Sequence, residues 1–400
     1  MRAAIVGCGI AGMAAALGLV RRGHEVTIFE AFDHPQPLGS GLLLQPSGLA
    51  ALGELGLLEG ALEAGSRIGR LDGRDPSGRR IMAMAYSDWR SDAFGLGIHR
   101  ATLFQLLFQA VGQAGVSLQT GCAIVGWEND AQPILIGQTG ERHGPYDLVV
   151  VADGSTSNLR RHLRPRARAP IYPWGAVWAN AEDAGGQFSG VLHQRYRRAS
   201  TMMGVLPIGR GPEDEGPLVS FFWSIRLDQM DRFLAGDLER WRENAAAIWP
   251  EAAPVLEQFT RAEQFSRASY RDVSIGRWSR GGLVLIGDAA HGTSPQLGQG
   301  GNLALVDAVE LADHLSPTRP VAVCLLRYQS ARRRHTAAYQ LISRLLTPLF
   351  QSRGWLGPLV RDWFFTPLSQ ALGLRQLAAQ ILTGTLRLGR FPRRESRPPL

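Results

Sequence analysis

Ala3-Ala4-Ile5-Val6-Gly7-Cys8-Gly9-Ile10-Ala11-Gly12 lies next to the start of the chain, and an acid, Glu30, stands eighteen residues beyond Gly12. Four apolar residues ahead of a glycine read as a short buried strand of a parallel sheet. Met13 to Arg22 continues as an alanine-rich helix, with Gly23 suited to close it. Val26-Thr27-Ile28-Phe29 is a second strand, and Glu30 ends it. Strand, GxGxxG, helix, strand and acid in register form a dinucleotide-binding fingerprint, and each part has a physical task. Gly7 allows the tight turn, Gly9 lets the backbone approach a pyrophosphate, and Gly12 lets helix and strand pack closely. The helix start presents N–H groups to phosphates, while Glu30 can accept from ribose hydroxyls. A carboxylate there repels a 2′-phosphate, which disfavours NADP at this site and leaves FAD or NAD.

The same grammar occurs twice more. Asp147-Leu148-Val149-Val150-Val151-Ala152 is a buried strand that runs into Asp153-Gly154-Ser155, followed by small polar residues and a short helix. Leu283-Val284-Leu285-Ile286 leads to Gly287-Asp288-Ala289-Ala290-His291, then to a loop of Gly, Ser, Pro and Gln ending at Asn302. Leu303, Val306, Val309 and Ala312 follow at helical spacing. In open α/β sheets, ligands bind beyond the carboxyl ends of strands, where both acids stand.

Composition bounds the rest. Of 400 residues, 45% are hydrophobic and 20% charged, enough for a large core and two or three domains. Cys8, Cys122 and Cys324 are an odd number and far apart, so no disulfide framework or metal motif is indicated, and a reducing cytoplasm is expected. The formal charge is +8, and all 43 basic residues are arginine. The missing lysine excludes Schiff-base chemistry and fits a GC-rich, bacterial coding bias. Neither a nucleic-acid motif nor an aromatic-interleaved basic stripe accompanies the charge, so nucleic acid is not an expected partner.

From Pro170 to Arg277 the pattern changes to short runs separated by glycine, proline and charge, which predicts an antiparallel sheet. Period two puts Phe221, Trp223 and Ile225 on one face, either packed on a helix or walling a flat ligand. His193 and Arg195 share a face of another strand, with Tyr196 opposite. The expected architecture is α/β: a discontinuous Rossmann-type FAD-binding domain (1–70, 96–168, 276–330). Into it are inserted a hairpin (71–95) and a mainly antiparallel β-sheet substrate domain (169–275). A C-terminal helical region (331–386) and a basic tail expected to be disordered (387–400) complete it. The apolar C-terminal helices pack on the cofactor domain or a partner, with peripheral membrane association the alternative.

The three motifs in this order resemble the single-component FAD-dependent aromatic hydroxylases, the group of para-hydroxybenzoate and salicylate monooxygenases. The resemblance covers about residues 1–320 and is densest from Gly287-Asp288 through Pro295-x-x-Gly298-Gln299-Gly300-x-Asn302. It implies that Gly7, Gly9, Gly12 and Glu30 hold the ADP half of FAD and that Arg100 contacts its polar spine. Asp153 and Gly154 would lie near the pyrophosphate, Asp288 at the ribityl hydroxyls, and Pro295 with the backbone of Gly298, Gly300, Gly301 and Asn302 at the flavin ring. The Gly39–Gly48 segment corresponds to a loop beside the flavin. The implied cycle is reduction of FAD by transient NADH or NADPH, reaction with O2 to a C4a-hydroperoxyflavin, and hydroxylation of an aromatic or conjugated small molecule. A reductase, dehydrogenase or epoxidase acting on a lipophilic substrate is the alternative. No residue is assigned as catalytic base and no metal is expected. His193, Arg195, Phe221 and Trp223 are candidates for the substrate pocket, and His291 for a supporting role within the motif.

Overall fold

The computed structural model describes residues 1–37, 39–214, 216–354, 356–365, 371 and 373–386. The tail expected at 387–400 lies outside the described residues. A six-stranded sheet carries the strands in the order Ser279–Arg280, Leu283–Leu285, Leu148–Val151, Arg2–Val6, Glu25–Phe29, Ser117–Gln119. All pairs are parallel except the first, with Ile5 beside both Val150 and Ile28, and Val150 beside Val284. Layers of helix and sheet cover both faces, which is why these strands are apolar without alternation. Leu148 to Val151 and Leu283 to Leu285 are all buried, each side chain contributing about 1.5–3 kcal/mol.

Helices Ile10–Val20 and Gly300–His314 pack against each other at the back of the glycine loops. A Cβ on Gly18 would stand 3.2 Å from that of Ala312, so a small residue permits the approach. The register of the parallel strands places their carboxyl ends, and with them Gly7, Glu30, Asp153 and Asp288, along one edge of the sheet.

A seven-stranded sheet stands across that edge, in the order Ser266–Ala268, Trp174–Glu182, Leu218–Arg226, Thr201–Gly209, Val191–Arg197, Arg70–Arg74, Arg80–Ala85. It is antiparallel except where Val191–Arg197 meets Arg70–Arg74, so the hairpin at 70–85 extends the inserted sheet. One face is covered by Leu227–Leu234 and Leu238–Ile248, and the resulting core includes Val177, Val205, Phe221, Trp249 and Phe259. The other face belongs to a core with Tyr86, Tyr196, Leu206, Phe222 and Phe350. Small sheet Gly41–Leu44, Gly95–His99, Ser66–Ile68 lies between the two large ones. Gly97 is required there, because a Cβ would meet the Pro207 carbonyl at 1.9 Å.

Helix Val321–Phe350 spans 30 residues and ties the two halves together. Near its start Tyr328 packs on Trp278, and at its end Phe350 packs on Tyr196, with ring centroids 6.3 and 5.3 Å apart. Among the described residues no helix is long and apolar enough to cross a membrane.

Candidate functional site

The glycines of the first loop are fixed by sterics. Gly7 has φ 104°, and a Cβ on it would stand 2.7 Å from the Ala152 carbonyl oxygen. A Cβ on Gly12 would stand 2.0 Å from the Gly7 carbonyl oxygen. Gly9 differs: nothing lies within 4 Å of its Cβ position, so the missing side chain leaves open space beside the helix start. Glu30 closes the loop, accepting from the Cys8 backbone N–H at 2.6 Å and the Phe32 N–H at 3.1 Å. Burial and then the Glu30 charge push the Cys8 thiol up to about 12, so it is inert.

The second and third motifs are joined by a residue without an evident signal in the sequence. Arg160 is buried, and its Nε donates to the Ala289 carbonyl at 2.8 Å. Its Nη2 reaches the Gly154, Ser155 and Asp288 carbonyls at 3.2–3.4 Å. One guanidinium therefore sets the spacing of the Asp153 and Asp288 loops. Asp153 Oδ1 is buried without a partner, and burial raises its carboxyl to about 6 against the Ser157 hydroxyl and Arg160. The Asp288 side chain is exposed; a Cβ on Gly300, at the next helix start, would lie 3.7 Å from Asp288 Oδ1.

Beneath that helix start lies a buried ionic group. Asp307 accepts from the Gly287 N–H at 2.9 Å, from His291 Nε2 at 2.5 Å and from Arg332 Nε at 2.8 Å. Burial alone would raise its carboxyl, but His291 and Arg332 hold it far below the usual carboxylate range. His291 thus supports the loop, as the sequence suggests. Asp307 had a readable signal, an acid inside an apolar helical stripe, whereas Arg332 in an arginine run had none.

Pro295–Leu297 forms a single turn, and Gly298 follows in the left-handed region with φ 61°. Asn302 is fully buried, and its side chain is occupied by backbone: it donates to Leu43 and Gly298 carbonyls at 3.1 and 3.0 Å and accepts from Gln45 N–H at 2.8 Å. It clamps the Gly39–Gly48 segment onto the Pro295 loop. Gly48 makes room, since a Cβ there would be 2.1 Å from Asn302 Oδ1. Arg100 begins its helix beside Gly39, whose Cβ position is 3.2 Å from Arg100 Cδ. The preceding His99 accepts from Ala101 N–H and contacts Asn180 Nδ2 at 2.7 Å; Asn180 in turn bonds Ser40.

Contacts on the inserted sheet show which of its faces packs on the Gly39–Gly48 and Pro295 segments. Ser220 bonds Ser40 at 2.8 Å, and Ser224 accepts from Gln351 at 2.9 Å, while Gln351 accepts from Gln296 at 2.8 Å, next to Pro295. Phe222 lies between the two serines on the same face, paired in register with Trp178 and 4.9 Å from its ring. Gly204 beside it keeps that ring in place, for a Cβ would be 2.5 Å from Phe222.

The four sequence candidates for the pocket lie on the opposite face of the inserted sheet. Phe221 is in ring contact with Trp241 and Phe259, and Trp223 with Trp241. His193 contacts Phe188 and Trp249, and the Arg195 guanidinium sits 4.6 Å over Trp249. Both faces of the strand are apolar, so period two fixed the alternation but not its phase. Ser220 and Ser224 were the discriminating residues.

The arrangement fits an FAD on its own geometry. Gly9 leaves open space, Glu30 closes the loop behind it, and Asp153 presents an unpartnered buried oxygen. Asp288 lies beside the start of helix Gly300–His314, whose first turn holds no acid. A family model described as "FAD binding domain" matches residues 1–341. The FAD-dependent urate hydroxylase of Klebsiella pneumoniae is 28% identical over 344 residues, covering 83% of this chain and 86% of that protein. The 3-amino-4-hydroxybenzoate 2-monooxygenase of Streptomyces cremeus is 29% identical over 374 residues, 88% of each chain. The crystal structure of Klebsiella pneumoniae HpxO complexed with FAD and uric acid shares the fold, with TM-score 0.80, 21% identity and 96% of each chain covered.

Proposed function

The chain belongs to the FAD binding domain family, and we propose that this FAD-dependent monooxygenase holds a flat, electron-rich aromatic ring between the Trp178–Phe222 pair and the Pro295–Asn302 loop. The observation that carries this reading is the aromatic pair between two serines, one tied to the Gly39–Gly48 segment and the other, through Gln351 and Gln296, to the Pro295 loop. The two relatives support it, since urate and an aminohydroxybenzoate are both electron-rich rings bearing oxygen and nitrogen.

When bound, FAD supplies the chemistry that passes reducing equivalents from NADH or NADPH to O2 and places one oxygen atom on the substrate. The N–H groups around Gly9 and the Glu30 carboxylate would hold the adenosine diphosphate end. Asp153 and Asp288 would accept from polar groups along the middle of the cofactor. The start of helix Gly300–His314 would face the flavin ring, where its positive end favours negative charge. Trp178 and Phe222 would stack the substrate and keep water from the reacting face. Thr293 Oγ1, buried without a partner just before Pro295, would bond a polar ring substituent.

The test is turnover of purified protein with NADH or NADPH and a panel of hydroxylated and amino-substituted aromatics. A productive ring accelerates NAD(P)H oxidation and gains one oxygen atom, labelled when 18O2 is supplied. Turnover that continues without O2, or a protein that cannot be loaded with FAD, overturns the reading.

A further inference from the structure

Cys122, Glu141 and His143 carry no metal motif, because the cysteine follows the edge strand Ser117–Gln119 while Glu141 precedes and His143 ends the short strand Arg142–His143. The fold nevertheless brings their donor atoms within 4.8 Å of one another. Cys122 Sγ is 3.5 Å from His143 Nε2 and 4.0 Å from Glu141 Oε1. Tetrahedral zinc, with bonds of about 2.3 Å to sulfur and about 2.0 Å to nitrogen, separates those two ligands by about 3.5 Å. The Cys–His pair is therefore at zinc-ligand spacing, and the carboxylate oxygen stands within 4.8 Å of both.

We propose that Cys122, Glu141 and His143 bind one zinc ion, with water in the fourth position. The sulfur, nitrogen and oxygen donor set suits this borderline-soft ion better than magnesium or calcium, which take oxygen. The ligands are held in place independently of any ion. The His143 ring packs 4.9 Å from that of Phe29, and Glu141 accepts from the Thr139 N–H at 3.1 Å. On binding, zinc takes up the Cys122 thiolate and the thiol proton leaves to solvent. The site joins two elements. Cys122 N–H donates to the Glu30 carbonyl at 2.8 Å, and His143 lies in the small sheet Arg142–His143, Ile134–Gly137, Ile124–Glu128. Zinc would thus clip that sheet to the segment bearing Glu30.

Full-length FAD-loaded protein, stripped with chelator and then titrated with zinc against a chromophoric competitor, tests this. The expected result is one equivalent bound. Cys122→Ser and His143→Gln should each weaken binding more than the ~10–100-fold that loss of an outer partner causes. Cys324→Ser, at a buried cysteine elsewhere, should leave it unchanged. Cobalt should give a thiolate charge-transfer band that Cys122→Ser abolishes. If Cys122→Ser does not fold, His143→Gln and the cobalt band of the parent protein decide. Binding well below one equivalent, or equal affinity in the ligand variants, overturns the proposal.

Discussion

Asp288 and Asp153 are both acids at strand ends, yet the structure gives them opposite environments. Asp288 is exposed at a helix start, so its removal should cost FAD affinity and little else. Asp288→Ala is expected to weaken FAD retention about 10–100-fold, the value of hydrogen bonds to a charged acceptor. Flavin fluorescence on release measures it, and unchanged affinity would refute the placement. Asp153 is held up at about 6, above its unfolded value of about 3.9, because burial disfavours its charge. The folded FAD-free protein therefore binds more protons than the unfolded chain between about pH 4 and 6, and loses stability as pH rises through that window. The loss is at most about 3 kcal/mol. Asp153→Asn should flatten the slope; urea unfolding of FAD-free protein at pH 4.5 and 7 reads it, and an unaltered slope contradicts the account. Asp307→Asn leaves the Arg332 guanidinium buried beside a neutral partner, and a loss of about 3–5 kcal/mol in the same assay is expected.

At the scale of elements, the GxGxxG loop, the two later strand–acid loops and the inserted sheet were legible because each has a local signature. Gly7, Gly9 and Gly12 have distinct steric environments that their spacing alone implies. The phase of the inserted sheet was not legible, since Phe221 and Phe222 are neighbours and both are buried. Only long-range contacts, Ser220 to Ser40 and Ser224 to Gln351, assign the face. The motif assigns only the Asn302 backbone to the flavin ring and does not show that its side chain fastens Leu43 and Gln45. The end of helix Val321–Phe350 also had no local sign of its role. Its Ser343 and Thr347 hydroxyls bond Ser294 at 2.7 and 2.9 Å, and Gln351 bridges to the sheet. Gln351→Ala should therefore raise KM for the aromatic by several-fold while FAD content stays unchanged. Loss of FAD from that variant would show that the helix end supports the cofactor instead.

The whole molecule is a parallel sheet that presents three loops along one edge and a second sheet that closes over them. In the proposed reading, the closing face is the one bearing Trp178 and Phe222. The most direct measurement is aromatic-stimulated NAD(P)H oxidation by two FAD-loaded variants, Trp178→Ala and Trp223→Ala. With FAD content equal, stimulation should fall at least about tenfold in the first, which loses the ring platform, and stay near the parent level in the second. Stimulation retained by Trp178→Ala and lost by Trp223→Ala would contradict it.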